Sequence, residues 1–162
     1  MSNSFEILMN QLGMPAEMRQ ASALSHADIE RVVVHKISKV WEFHFVFSNI
    51  LPIEIFLELK KGLREEFSKT GNKAVFEIKT LSQEFSNQLL QAYYREAFSE
   101  GPCASQGFKS LYQNLQVRAE GNQLFIEGSE AIDKEHFKKN HLPNLAKQLE
   151  KFGFPTFNCQ VE

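Results

Sequence analysis

The sequence predicts an α+β protein: two small ββαβ-containing units with helices packed on antiparallel sheets. Three observations carry that reading. Val32 to His35 is a β-branched run, and Trp41, Phe43, Phe45 and Phe47 alternate with Glu42, His44, Val46 and Ser48. Period-two alternation places those four aromatics on one face of a strand. Phe56, Leu59, Leu63 and Phe67 then follow at spacings of three, four and four, which is one helical face. Finally, the strand, turn, strand, helix, strand order recurs near the C-terminus. Trp41 to Ala74 spans 33 positions and Leu124 to Thr156 spans 32. The expected units are residues 1–80 and 81–162, and a chain of this length buries enough surface to fold without staples.

In chain order, Ser4 is expected to cap a helix over 4–12, with Phe5, Leu8, Met9 and Leu12 inward and Gly13 ending it. Pro15 opens a further helical turn to Ala23, with Met18 inward. Ile37-Ser38-Lys39 turns the hairpin, and Pro52 sits in the first turn of a helix over 52–69. The expected core anchors are Trp41, Phe43, Phe56, Leu59, Leu63 and Phe67, with Trp41 buried against Phe56, Leu59 or Leu63.

Lys73 to Lys79 reads as a strand, with Ala74, Phe76 and Ile78 on one side and Val75 and Glu77 on the other. Thr80 to Gln83 matches a capping box. It predicts a helix to about Phe98 with Phe85, Leu89, Ala92 and Tyr93 inward. Ser99 to Gln106 reads as a linker, and Phe108, Leu111 and Tyr112 as a short helix. Leu115 to Ala119 and Gln123 to Glu127 form a second hairpin about Glu120-Gly121-Asn122, with Leu124 and Ile126 inward. Ser129 can cap a helix that carries Ile132, His136 and Phe137. That helix breaks near His141–Pro143 and resumes with Leu145, Leu149 and Phe152 until Gly153. Phe154 to Val161 is the last strand. The ending, PTFNCQVE, has strand-like alternation and no polar tail, so the chain is expected to be a segment of a longer protein.

Composition narrows function mainly by exclusion. Net charge is −2, from 18 basic and 20 acidic residues, and neither half carries a basic excess. That disfavours a nucleic-acid module in bulk. No apolar run approaches the length of a membrane helix, and the N-terminus lacks a signal-peptide pattern, so the cytoplasm is expected. Cys103 and Cys159 form no CxxC or Cys/His cluster, which argues against zinc and for free thiols.

No G-x-S-x-G, GxGxxG, Walker A or H-E-x-x-H pattern occurs. No catalytic, cofactor-binding or metal-binding residue is therefore assigned. His35 and His44 flank the hairpin and suggest a metal or acid–base pair; the simpler reading is two half-exposed strand histidines. Glu58, Glu65 and Glu66 are read as solvated helix partners of Lys61, Arg64 and Lys69. Cys103, beside Pro102 with no base near it in sequence, is a poor nucleophile. Lys134, Lys138 and Lys139, with His141 beyond them, form a basic helix face, with Glu130, Asp133 and Glu135 interspersed. Lys36 and Lys39 sit at the hairpin turn beside Arg31. These lysines are the candidate contacts for nucleic acid or a partner. A hnRNP-K-homology (KH) module grips nucleic acid with a GxxG loop, and no GxxG occurs here.

The segment VVVHKISKVWEFHF, followed by ILP, an amphipathic helix ending in Phe and a short strand, resembles the extreme N-terminus of the PolC-type DNA polymerase III alpha subunit of low-GC Gram-positive bacteria. A short helix with LG-MP before the hairpin and the EGNQLFIEGSEAIDKEHFKK stretch fit as well. The resemblance implies two small domains, I and II, ahead of the parent's OB-fold, exonuclease and polymerase parts. It implies that the first is similar to the C-terminal domain of the clamp-loader tau subunit, a truncated KH-like fold that binds protein. DNA replication is then the expected process. The expected role is a non-catalytic docking module for replisome proteins, without cofactor. The rivals are a nucleic-acid-binding module guiding template or primer strand, and a small autonomous enzyme.

Overall fold

A computed structural model describes residues 1–128 and 132–162. The chain divides into two compact units, Met1–Glu84 and Phe85–Glu162. Each is built around a three-stranded sheet: an antiparallel hairpin, then a helical crossover that lays the third strand beside the second. A helix between two strands returns the chain to its starting end, so the third strand runs parallel to the second. Both sheets are thus mixed, where antiparallel sheets were expected.

In the first unit, α1 (Asn3–Leu12) is capped by Ser2, whose hydroxyl accepts from the Phe5 N–H at 3.3 Å. The cap is therefore two residues earlier than Ser4. Gly13 adopts the left-handed conformation that closes the helix. α2 (Ala16–Arg19) and a 3-10 turn (Ser22–Leu24) replace the continuous turn expected to Ala23, and Met18 is only half-buried. Strands β1 (Asp28–His35) and β2 (Val40–Phe47) form the hairpin. Pro52 stands at the cap of α3 (Ile53–Ser68), one position before the first turn. β3 (Lys73–Thr80) completes the sheet.

Alternation along β2 decides the packing. Phe43, Phe45 and Phe47 are buried under α1 and α3 together with Phe56, Leu59 and Leu63. Phe5 meets Phe45 and Phe47 edge-on, both at 5.6 Å. Trp41 departs from expectation. It lies at the hairpin end of β2, opposite the last turn of α3, and only half-buries against Phe67 at 5.3 Å. Phe67 is half-buried for the same reason. The strand partners of Trp41 are small or exposed: Ala74 on β3, and Val34 on the terminal strand β1.

The second unit begins differently from its expected capping box. Thr80 stays in β3 opposite Phe47, and Leu81 and Ser82 extend that ladder through bonds to Phe47 and Ser48 carbonyls at 3.0 and 2.9 Å. Strand pairing outweighs a local cap. α4 (Asn87–Glu96) starts instead from Ser86, whose hydroxyl accepts from the Leu89 N–H. Its buried face carries Leu90, Tyr93 and Tyr94 and leaves Leu89 half-buried. Phe85 packs from the extended segment against Phe154 at 4.9 Å.

The stretch 99–106 is no linker. A 3-10 turn (Gly101–Ala104) buries Cys103 and leads into α5 (Gln106–Tyr112). The hairpin of β4 (Val117–Glu120) and β5 (Gln123–Ile126) turns on Gly121, whose positive φ suits glycine. Leu124 and Ile126 are fully buried. α6 (Lys134–Asn140) is capped by Asp133, which accepts from His136 N–H, so Ile132 precedes the helix. The expected cap at Ser129 lies outside the described residues. α7 (Leu142–Lys151) follows with Pro143 in its first turn. β6 pairs with β5 only over Asn158–Val161, because Phe154 and Phe157 turn into the core beforehand. Among the described residues no helix is long and apolar enough to cross a membrane.

Candidate functional site

The alternation that buries the β2 phenylalanines sends Glu42 and His44 to the opposite face of the first sheet. Register then brings partners to them. His44 lies opposite Arg31 on β1 and Glu77 on β3, while His35 ends β1 opposite Val40. Glu42 holds a histidine on each of its oxygens: His35 Nε2 at 3.2 Å from Oε2, and His44 Nε2 at 2.8 Å from Oε1. The far side of the His44 ring, Nδ1, is 3.8 Å from Glu77. The His44 side chain is only 12% exposed, against 48% for His35. Hydrogen bonding from His35, joined by His44, holds the Glu42 carboxyl below its ordinary value against the opposing effect of burial.

Spacing alone suggested the His35–His44 pair. It missed Glu42 as the bridge, although Glu42 lies two residues before His44 on the same strand face. It missed Glu77 because only the parallel pairing of β2 and β3 places that residue beside His44. One donor atom each from Glu42, His44 and Glu77 lie within 4.8 Å of one another.

The sequence-predicted lysines fall in both units. Lys36 and Lys39 are exposed in the turn between β1 and β2, where Lys39 takes a left-handed φ of 57°. Lys134, Lys138 and Lys139 are exposed on α6, preceded by Asp133 and interrupted by Glu135; Glu130 lies outside the described residues. His141 does not extend that basic face. Its ring lies 5.9 Å from Tyr112 and 5.2 Å from His136. Burial and the neighbouring His136 lower its pKa, which disfavours a cation there. On α3, Lys69 pairs with Glu66 at 2.8 Å, a solvated contact at i,i+3. Burial raises the pKa of the Cys103 thiol, which disfavours a nucleophilic thiolate. Burial also pushes Cys159 up to about 11.

The two sheets differ at their outer strands. On β4, the Val117 and Ala119 N–H groups donate to the side chains of Gln91 and Asn87, at 2.9 and 3.0 Å. Terminal strand β1 instead presents Val32 and Val34, which are 39% and 43% exposed, beside a turn whose Ile37 is fully exposed. A register irregularity between Ile29 and Arg31 disturbs only the start of β1, leaving Val32 to His35 regularly paired.

A family model described as DNA polymerase III polC-type N-terminus I matches residues 4–78, and one described as N-terminus II matches residues 92–162. The whole chain is 95% identical to DNA polymerase III PolC-type of Streptococcus pneumoniae serotype 2 and 65% identical to that of Streptococcus sanguinis. Over 99% of the chain it is 47% identical to that of Streptococcus pyogenes serotype M5. The chain spans 11% of the length of each of these relatives. No solved structure matches it.

Proposed function

The chain belongs to the DNA polymerase III polC-type N-terminus I and II families, and from that premise we propose that it is a non-catalytic protein-docking module of a replicative polymerase. Its process is DNA replication, its setting the replisome in the bacterial cytoplasm, and the first unit acts as a KH-like fold that binds protein rather than nucleic acid.

The observation that carries this reading is the terminal strand β1, with Val32, Val34 and Ile37 exposed beside the half-buried Trp41 and Phe67. A strand at the end of a sheet can accept an added strand through its main chain, and alternate side chains give the selectivity. Arg31, Lys36 and Lys39 lie along β1 and its turn, all exposed. The complementary occupant is an extended segment of another replisome protein, with apolar residues at alternate positions and acidic residues between them. The test is a set of overlapping peptides from purified replisome proteins, titrated against the chain and against Val34→Asp. Peptides of that pattern are expected to bind the parent chain and lose affinity to Val34→Asp, whose folded state is checked by circular dichroism. Equal binding to both proteins would contradict the β1 surface.

A second reading, a nucleic-acid module guiding template or primer strand, draws on exposed Lys134, Lys138 and Lys139. The net charge of −2 and the acidic residues around α6 weigh against it. The absence of catalytic motifs weighs against an autonomous enzyme.

A further inference from the structure

We propose that Glu42, His44 and Glu77 form a binding site for a single first-row divalent transition-metal ion, on the sheet face opposite Val32 and Val34.

The geometry supports it first. One donor atom from each residue lies within 4.8 Å of the other two. Donors on one tetrahedral zinc ion, each at about 2.0–2.2 Å, sit about 3.3–3.6 Å apart. Glu42 meets Nε2 and Glu77 faces Nδ1, and one ion takes a single ring nitrogen, so closing the site asks for shifts of more than about 1 Å, made by rotating the carboxylates at the ends of their flexible side chains. The imidazole needs little ordering, because His44 is already 12% exposed between Glu42 and Glu77. All three residues stand on paired strands, with His44 directly opposite Glu77 in the parallel ladder. Sites on rigid elements hold their geometry better than sites on loops.

Ligand chemistry defines the class of ion. One imidazole and two carboxylates suit zinc, manganese, iron or cobalt; calcium and magnesium prefer oxygen donors alone. Two carboxylates also neutralise a dication. His35, at 3.2 Å from the second oxygen of Glu42, acts as a positioning residue that orients that carboxylate. The remaining coordination positions go to water. Arg31 opposite His44, and Lys79 two residues beyond Glu77, place positive charge near the site. They keep the affinity modest. A ring nitrogen of His44 binds metal through its lone pair, so the ion takes the place of the hydrogen-bond partner at that nitrogen.

The test uses the whole chain, stripped with chelator and titrated with zinc by calorimetry and with cobalt by visible absorption. One equivalent of zinc is expected per chain, with cobalt ligand-field bands. His44→Asn should abolish both. His35→Asn should weaken binding by about tenfold, at the low end for a residue that orients a ligand. The double variant His136→Asn/His141→Asn, in the other unit, should bind like the parent. Folding of His44→Asn is checked by circular dichroism. Histidine ring resonances of the unmodified chain give an independent readout, in which zinc should shift His44 first. Absence of cobalt bands, binding that survives in folded His44→Asn, or a first shift at His136 or His141 would overturn the site.

Discussion

Gln91 closes the outer edge of the second sheet: its side-chain oxygen accepts from the Val117 N–H, and its amide donates to the Leu115 carbonyl, both at 2.9 Å. A strand edge has unpaired donors at alternate residues, and Asn87, one helical turn earlier, takes the next one at Ala119. Gln91→Ala leaves two part-buried backbone groups without that partner. It should cost about 1–2 kcal/mol in urea unfolding. An unchanged midpoint would mean that water replaces the side chain at no cost.

Phe43 and Trp41 share a strand face but not an environment. Phe43→Ala should cost about 3–5 kcal/mol, as for a buried aromatic, and Trp41→Ala less than about 3 kcal/mol. Trp41 is the single tryptophan, so its emission reports on that site alone. The maximum should lie between those of buried and water-exposed indole. Emission typical of a fully buried ring would contradict the half-open position against Phe67.

Glu42 sets an acid dependence. Its carboxyl is held below the ordinary value of 4.5, chiefly by His35. A group with a lowered folded pKa contributes stability that is full above its unfolded value and lost as pH falls through the folded one. The stability gap between the parent chain and Glu42→Gln should therefore be present at neutral pH and shrink as the pH falls through and below the carboxylate range. Urea midpoints across that range measure it, and a gap independent of pH would contradict the pairing.

What was legible in the sequence was periodicity. The β2 alternation placed Phe43, Phe45 and Phe47 correctly, and the three-four-four spacing placed Phe56, Leu59 and Leu63. Both are local patterns that burial on one face enforces. What failed was competition between local and distant partners. Thr80-x-x-Gln83 is a sound cap in isolation, yet Thr80 pairs with Phe47 in the sheet. The polar run 99–106 reads as a linker, yet Cys103 is buried. Glu77 joined His44 only through parallel register, which spacing within one strand does not reveal.

The docking reading stands or falls against nucleic-acid binding, and fluorescence anisotropy of labelled single- and double-stranded DNA at two salt concentrations decides between them most directly. Lys134, Lys138 and Lys139 offer few phosphate contacts, each adding roughly −0.9 to the slope of log affinity against log salt on duplex DNA. The expected result is weak, sequence-indifferent binding, with a Kd of about 10⁻⁴ M or weaker at physiological salt. Sub-micromolar binding under those conditions, lost when the three lysines are replaced by alanine, would contradict it.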